Sequence, residues 1–179
     1  RDKQGRPLYY DGTVENITER KQAEEALRAS EEKFRRFFET MPEYAYIISP
    51  NGKIVDLNPA ALQMLGYEWD EVIGKPLTMT YAPESMPRIH ELYALWKESG
   101  TIRNEELVIQ TKQLEKRTVI LNVSTAKHAD GAILHSASVQ TDITERKRAE
   151  EKIRKLNEEL NRRIMELAAV NAELESFTY

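Results

Sequence analysis

The chain has 179 residues, enough for one ordinary domain with extensions, and its 40% hydrophobic content suffices for one sizeable core. Charge is dense at 31% but balanced, 26 basic side chains against 30 acidic for a net −4, which excludes a global field that would draw nucleic acid or an anionic membrane. The count of zero cysteines excludes disulfides, thiolate metal sites and thiol nucleophiles.

The first element is half of a repeat. NITERKQAEE from Asn16 and DITERKRAEE from Asp142 match at eight of ten positions, 126 residues apart, and Gly5 and Gly131 each stand eleven residues earlier. A strand-like run fills the interval in both copies. Residues 1–16 therefore read as the last strand of a preceding domain, with backbone groups that call for a neighbouring sheet edge or a second chain. Asn16 and Asp142 are good helix N-caps, and Glu19 and Glu145 lie three places on, as in a capping box. Residues 17–30 form the first exit helix. Ser30, Glu31 and Glu32 offer a fresh helix start, after which Phe34, Phe37, Phe38 and Met41 make an apolar stripe suited to cap a core and meet a partner.

A compact region follows. YAYIIS and IVDLN flank an Asn51-Gly52 turn and predict a hairpin. NPAALQMLGY predicts a short helix with Asn58 at its N-cap, Pro59 at its first position and Gly66 at its end. After a loop-rich stretch, a helix runs from about Pro87 to Ser99, closed by Gly100. Three strands remain, IRNEELVIQTK, RTVILNVSTAK and AILHSASVQT, the last two joined at Asp130-Gly131. Two strands, short helices and three strands give an α+β domain, a five-stranded antiparallel sheet with helices on one face.

The last strand passes straight into a charged helix. Ile153, Leu156, Leu160, Leu167, Val170, Leu174 and Phe177 continue from Ala149 on spacings of three and four, with one slip at Arg163, where Ile164 sits one place over. About 33 helical residues at ~1.5 Å each extend ~50 Å, too far to pack on one small domain. A parallel homodimeric coiled coil is the economical reading, because an isolated amphipathic helix is marginal without a partner.

SEEKFRRFFETMPE, ISPNGKIVDLNPAALQMLGY, EVIGKPL, HADGAILHSASVQ and the triplet Asp142, Ile143, Thr144, in that order, resemble the PAS family of sensory domains. The resemblance covers about residues 31–146 and departs from the common pattern after Lys112, where QLEK replaces the usual acidic-glycine turn and implies a longer or differently shaped hairpin. It implies a division into residues 1–16 as the tail of an upstream PAS copy, 17–30 as a linker helix, 31–144 as the PAS domain and 145–179 as a coiled-coil signalling helix. VNAELESFTY is similar to the start of the dimerisation helix of sensor histidine kinases, which soon afterwards carries a phosphoaccepting histidine. None of His90, His128 or His135 lies in that helix, so the fragment itself is expected to lack phosphotransfer activity. The implied parent is a kinase acting on itself and on a response regulator.

A PAS fold implies a ligand space between helices and sheet. Val119, Leu121 and Val123 share one strand face, with Ala137 or Ser138 across the last hairpin, and His90 and Tyr93 on the preceding helix complete the candidate pocket. Plain core is the commoner use of such residues, and the same holds for Tyr81 and Trp96. Haem-binding members of the family use a histidine on the helix that carries His90. Counting back from Gly100 displaces His90 by about one residue, a rotation of ~100°, which argues against haem. The light-sensing flavin branch requires a cysteine after an Asn, and none exists here. His128 and His135 flank one turn without the carboxylates that would make a metal site. No metal is expected, and any cofactor is absent or of unknown kind, with haem and flavin both disfavoured. Asn58 is sufficiently explained as a cap.

No G-x-S-x-G, phosphate-binding glycine loop or H-E-x-x-H is present, so no catalytic residues are assigned. The expected function is a sensory relay that passes a signal through Asp142, Ile143 and Thr144 into a dimeric coiled coil. The alternatives are a small-molecule or cofactor receptor and a purely structural dimerising spacer. No apolar run approaches the ~20 residues of a membrane helix and no signal peptide opens the chain. With Arg1 in place of a starting Met, the expectation is a cytoplasmic fragment of a longer protein, without nucleic-acid or membrane contacts of its own; anchoring of the parent is left open.

Overall fold

The computed structural model describes residues 3–5 and 17–176. The expected strand within residues 1–16, the cap at Asn16 and the seam residue Phe177 lie outside those residues, apart from a turn at 3–5.

Helix α1, Thr18–Thr40, is continuous through Ser30, so the fresh start expected there does not form. The reason is local: residues 29–32 contain neither glycine nor proline, and serine in a helix interior costs only about 0.5 kcal/mol. Ion pairs at i,i+4 (Arg20 with Glu24, Arg28 with Glu32) run along it, and Phe34 stacks on Phe38 with ring centroids 5.9 Å apart.

A separate unit begins at Glu39. Strand β1 (Tyr44–Ile48) and β2 (Ile54–Leu57) pair antiparallel across the Asn51-Gly52 turn, where Gly52 takes the left-handed φ of 77° that a hairpin turn requires. Helix α2 (Pro59–Leu65) begins at Asn58, whose Oδ1 accepts from Ala61 N, and ends at Gly66 in the left-handed conformation. The short α3 (Trp69–Val72) and two 3₁₀ turns lead to α4 (Met86–Ser99), which Gly100 terminates. Strands β3 (Thr101–Gln110), β4 (Lys116–Lys127) and β5 (Ile133–Asp142) then form an antiparallel meander. The β3–β4 connection, which contains the QLEK stretch after Lys112, is closed by five residues, with Leu114 at φ 66° and its N–H bonded to Thr111 O.

The sheet order is β2-β1-β5-β4-β3. The last strand thus inserts beside the first, Tyr46 opposite Ser138, and becomes the middle of the sheet. One face of the sheet carries the core. Tyr46, Ile54 and Leu57 cluster with Leu65 of α2, while Leu92 and Trp96 of α4 cluster with Ile109 and Leu121. Helix α5 (Thr144–Ser176) leaves β5 after a single intervening residue.

Candidate functional site

Between α4 and the sheet lies a cavity of about 300 Å³. All five pocket residues proposed from sequence, His90, Tyr93, Leu121, Val123 and Ser138, stand in its wall. Helical periodicity explains the first two: Ile89, Leu92 and Trp96 are the buried side of α4, so Tyr93 and His90 fall toward its margin. His90 is exposed, at the rim, and the lining offers no buried imidazole to a haem iron. Strand pairing explains the others. Val123 lies opposite Ser138 and Leu121 opposite Gln140, all pointing to the helix side, whereas Ala137 pairs with Ser124 on the other face.

Tyr81 and Trp96, assigned to core, are buried and also line the cavity. Trp96 is held by its indole N–H, which donates to Thr125 Oγ1 at 2.8 Å. Sequence reasoning missed two polar residues beside Ser138, namely Ser136 and Gln140. Ser136, Ser138 and Gln140 alternate along the inward face of the central strand and are buried to 2%, 1% and 0% exposure, where apolar side chains are the norm. The signal was available in AILHSASVQT, where from Ser136 onward every second residue is polar in phase with Leu121 and Val123 across the hairpin. Gln140 Nε2 donates to Tyr81 Oη at 3.1 Å, while Gln140 Oε1, Ser138 Oγ and Tyr46 Oη have no hydrogen-bond partner.

The output end of β5 is built around Asp142. Its Oδ2 accepts from Tyr44 Oη at 2.8 Å and from Arg117 Nη1 at 3.2 Å, and its Oδ1 accepts from Thr144 N at 2.8 Å. Burial pushes its carboxyl upward, but the hydrogen bonds from Thr144, Tyr44 and Arg117 outweigh that and hold it below the ordinary value. Ile143 is buried, its N–H donating to Thr118 O, and Thr144 Oγ1 accepts from Thr118 N. The three junction residues therefore tie β1, β4 and β5 to the first turn of α5. The expected capping box does not form. Asp142 reaches the amide two residues on rather than three, and Glu145 Oε1 instead accepts from Arg148. Lys147 adds an ion pair to Glu106 on β3 at 2.7 Å. Beyond this turn Ile153, Leu156, Leu160, Leu167, Val170 and Leu174 are all at least half exposed, as is Ile164 at the slip.

Residues 42–145 match the family model described as PAS domain. The chain belongs to the PAS domain family. Among curated proteins, the cell-division control histidine kinases PdhS of Brucella ovis and Brucella abortus are each 28% identical over 142 residues, covering 77% of this chain. The match spans only 13% of those kinases. Among solved structures, the PAS domain of a Colwellia psychrerythraea protein aligns with a TM-score of 0.58 at 16% identity, covering 64% of this chain and 97% of that one. A domain of a sensory box sensor histidine kinase/response regulator from Geobacter sulfurreducens aligns with a TM-score of 0.54 at 22% identity, covering 65% and 96%. These likenesses show the PAS fold.

Among the described residues no three His, Asp or Glu side chains gather into a metal site, and no helix is long and apolar enough to cross a membrane. Three tyrosines of the PAS domain have displaced ionisation. Burial drives Tyr46 and Tyr81 far upward, and burial followed by the bond to Asp142 raises Tyr44 to about 12. A phenol whose folded value lies above its unfolded value, about 10, contributes stability that is intact below that pH and is lost as pH rises toward the folded value. In an alkaline titration followed by phenolate absorbance and circular dichroism together, the final phenolate increment is expected to coincide with unfolding. Full phenolate absorbance in a chain that is still folded would contradict the burial of Tyr46 and Tyr81.

Proposed function

We propose that this PAS domain is the sensory relay of a sensor histidine kinase. The cavity is its input, the Asp142-Ile143-Thr144 junction its coupling, and α5 its output into a parallel homodimeric coiled coil that governs autophosphorylation and, through it, a response regulator. The observation that carries this reading is the continuity of β5. Ser136 and Ser138 face the cavity, and the same strand reaches the first turn of α5 after one residue, with no glycine or proline to absorb movement.

A shift of the central strand that accommodates a ligand is thereby passed to a helix whose apolar stripe suits pairing with a second copy, and paired helices move between discrete packings. Similarity to the PdhS kinases supports a kinase parent with the relay on the cytoplasmic side. A structural spacer would need the dimer seam but not the phase between sheet and seam.

Insertion after Glu151 in the full-length kinase separates the two. Seven added residues restore the heptad phase and should preserve regulation, whereas one or two rotate the seam by about 100° or 200° and should lock or abolish it. Equal regulation in all three insertion variants would leave only the spacer reading.

A further inference from the structure

The chemistry of the cavity wall narrows what it can receive. Among the described residues no lysine, arginine, aspartate or glutamate lines it, and the one imidazole they place in the wall, that of His90, is exposed at the rim. The remaining wall is mainly Ile, Leu, Val, Tyr and Trp side chains. A charged group brought inside would be buried without a counter-charge, which costs far more than the surrounding apolar contacts return.

The wall is nevertheless not uniformly apolar. Ser138 Oγ, on a residue 1% exposed, has no hydrogen-bond partner although it belongs to the lining. Two places along the same strand face, Gln140 is fully buried and satisfies only one end of its amide, through Tyr81, which is itself in the wall. Turning that amide over exchanges the roles of its oxygen and nitrogen but still leaves one of them unpaired. Tyr46 Oη, on the neighbouring strand opposite Ser138, is a third buried oxygen without a partner. Native interiors seldom tolerate such groups, and their concentration at the centre of one sheet indicates that something else completes them. The volume, about 300 Å³, is about twice the ~150 Å³ that suffices for benzene and so admits one ring with substituents.

We infer that the cavity binds an uncharged, largely apolar molecule of one-ring size that carries a hydrogen-bonding hydroxyl or amide at one end, seated on Ser138 with Gln140 and Tyr81 behind it. This inference rests on the proposal that the cavity is the input site. It adds that the ligand is neutral, and that orientation comes from β5, the strand that leads to the output helix.

Three probes of nearly equal shape test it: 4-methylphenol, toluene and 4-methylbenzoate, each titrated into the 179-residue chain. The readout is the pair of indole N–H resonances, because Trp96 lines the cavity while Trp69 sits half exposed on α3 as an internal reference. The expected result is movement of Trp96 alone, with 4-methylphenol binding about tenfold more tightly than toluene, the value of one net hydrogen bond. The benzoate should bind at least tenfold more weakly than toluene. Ser138→Ala, which removes an unpaired hydroxyl and should fold at least as well, is expected to erase the preference for the phenol while leaving toluene unchanged.

If toluene binds as well as the phenol, or the benzoate matches either, the inferred ligand chemistry is overturned and the cavity remains a site of another kind. If none of the three moves Trp96, the input-site proposal falls and takes this inference with it.

Discussion

Replacement of Asn58 by alanine is expected to destabilise the PAS domain by about 3 kcal/mol, the sum of a lost helix cap and several buried backbone groups left unpaired. Asn58 is fully buried and uses its whole amide. Its Oδ1 accepts from Ala45 N and Ala61 N, both at 3.1 Å, and its Nδ2 donates to Met41 O at 3.1 Å and Glu43 O at 2.9 Å. One side chain thus starts α2, fixes the entry of β1 and holds the segment before it. Asn58→Asp keeps the acceptor but loses both donors and places a carboxylate against two carbonyl oxygens. At neutral pH it should destabilise at least as much as the alanine. Urea unfolding of the three proteins measures both effects. A loss below about 1 kcal/mol in Asn58→Ala would mean that the residue is a helix cap and nothing more.

Asp142→Ala is expected to cost about 2 kcal/mol of stability, and in the kinase proposed as its parent to reduce the span between basal and stimulated autophosphorylation several-fold. Three donors lose their acceptor: Tyr44 Oη, Arg117 Nη1 and Thr144 N. Arg117 suffers most, since its Nε already lacks a partner and only the bond from Nη2 to Glu115 at 3.0 Å is left. Asp142→Asn retains an acceptor for Thr144 N and should fall between wild type and alanine. The pH dependence follows from the depressed carboxyl. Because the folded value lies below the unfolded one, near 3.9, the stabilisation is fully present above about pH 4 and is lost as pH falls through the folded value. The stability difference between wild type and Asp142→Ala should therefore shrink on acidification. In a double-mutant cycle with Tyr44→Phe, a coupling of about 1 kcal/mol is expected for the shared hydrogen bond. Wild-type regulation in a kinase carrying Asp142→Ala would remove the junction from the signalling path, even with the stability loss confirmed.

The two variants probe different things because Asn58 and Asp142 stand at opposite ends of the mechanism. Asn58 belongs to the frame that lets the cavity exist, so its loss should weaken ligand binding and folding together. Asp142 lies beyond the cavity, on the side of α5, so its loss should leave the 4-methylphenol affinity of the chain within about twofold while regulation in the proposed parent kinase suffers. A phenol affinity that falls in parallel with regulation would place Asp142 in the frame as well.

What the sequence by itself determined were the features written in contacts of four residues or fewer. The Asn51-Gly52 turn, the start of α2 at Asn58 and Pro59, its end at Gly66, and the stop of α4 at Gly100 all rest on local backbone preferences. Alternation alone put Val119, Leu121 and Val123 on one face, and spacings of three and four marked the apolar stripe of α5. The same local logic overreached at Ser30, which lies inside a continuous helix, and at Glu145, whose carboxylate accepts from Arg148 instead of closing a capping box.

Only the tertiary structure decided what depends on strands distant in sequence meeting. Insertion of β5 between β1 and β4 places Ser138 and Gln140 at the buried centre of the sheet beside Tyr46, which leaves three buried oxygens without partners there, one of them on Ser138 in the cavity wall. It also brings Tyr44, Arg117 and Asp142, separated by 98 and 25 positions, into one hydrogen-bonded group. Asn58 shows the boundary within a single residue. Its bond to Ala61 N is local and legible as a cap, while its bonds to Met41, Glu43 and Ala45 exist only because the closed sheet returns that chain segment to its side. A propensity acts over one turn of chain, whereas an unsatisfied buried group is defined by everything that packs around it.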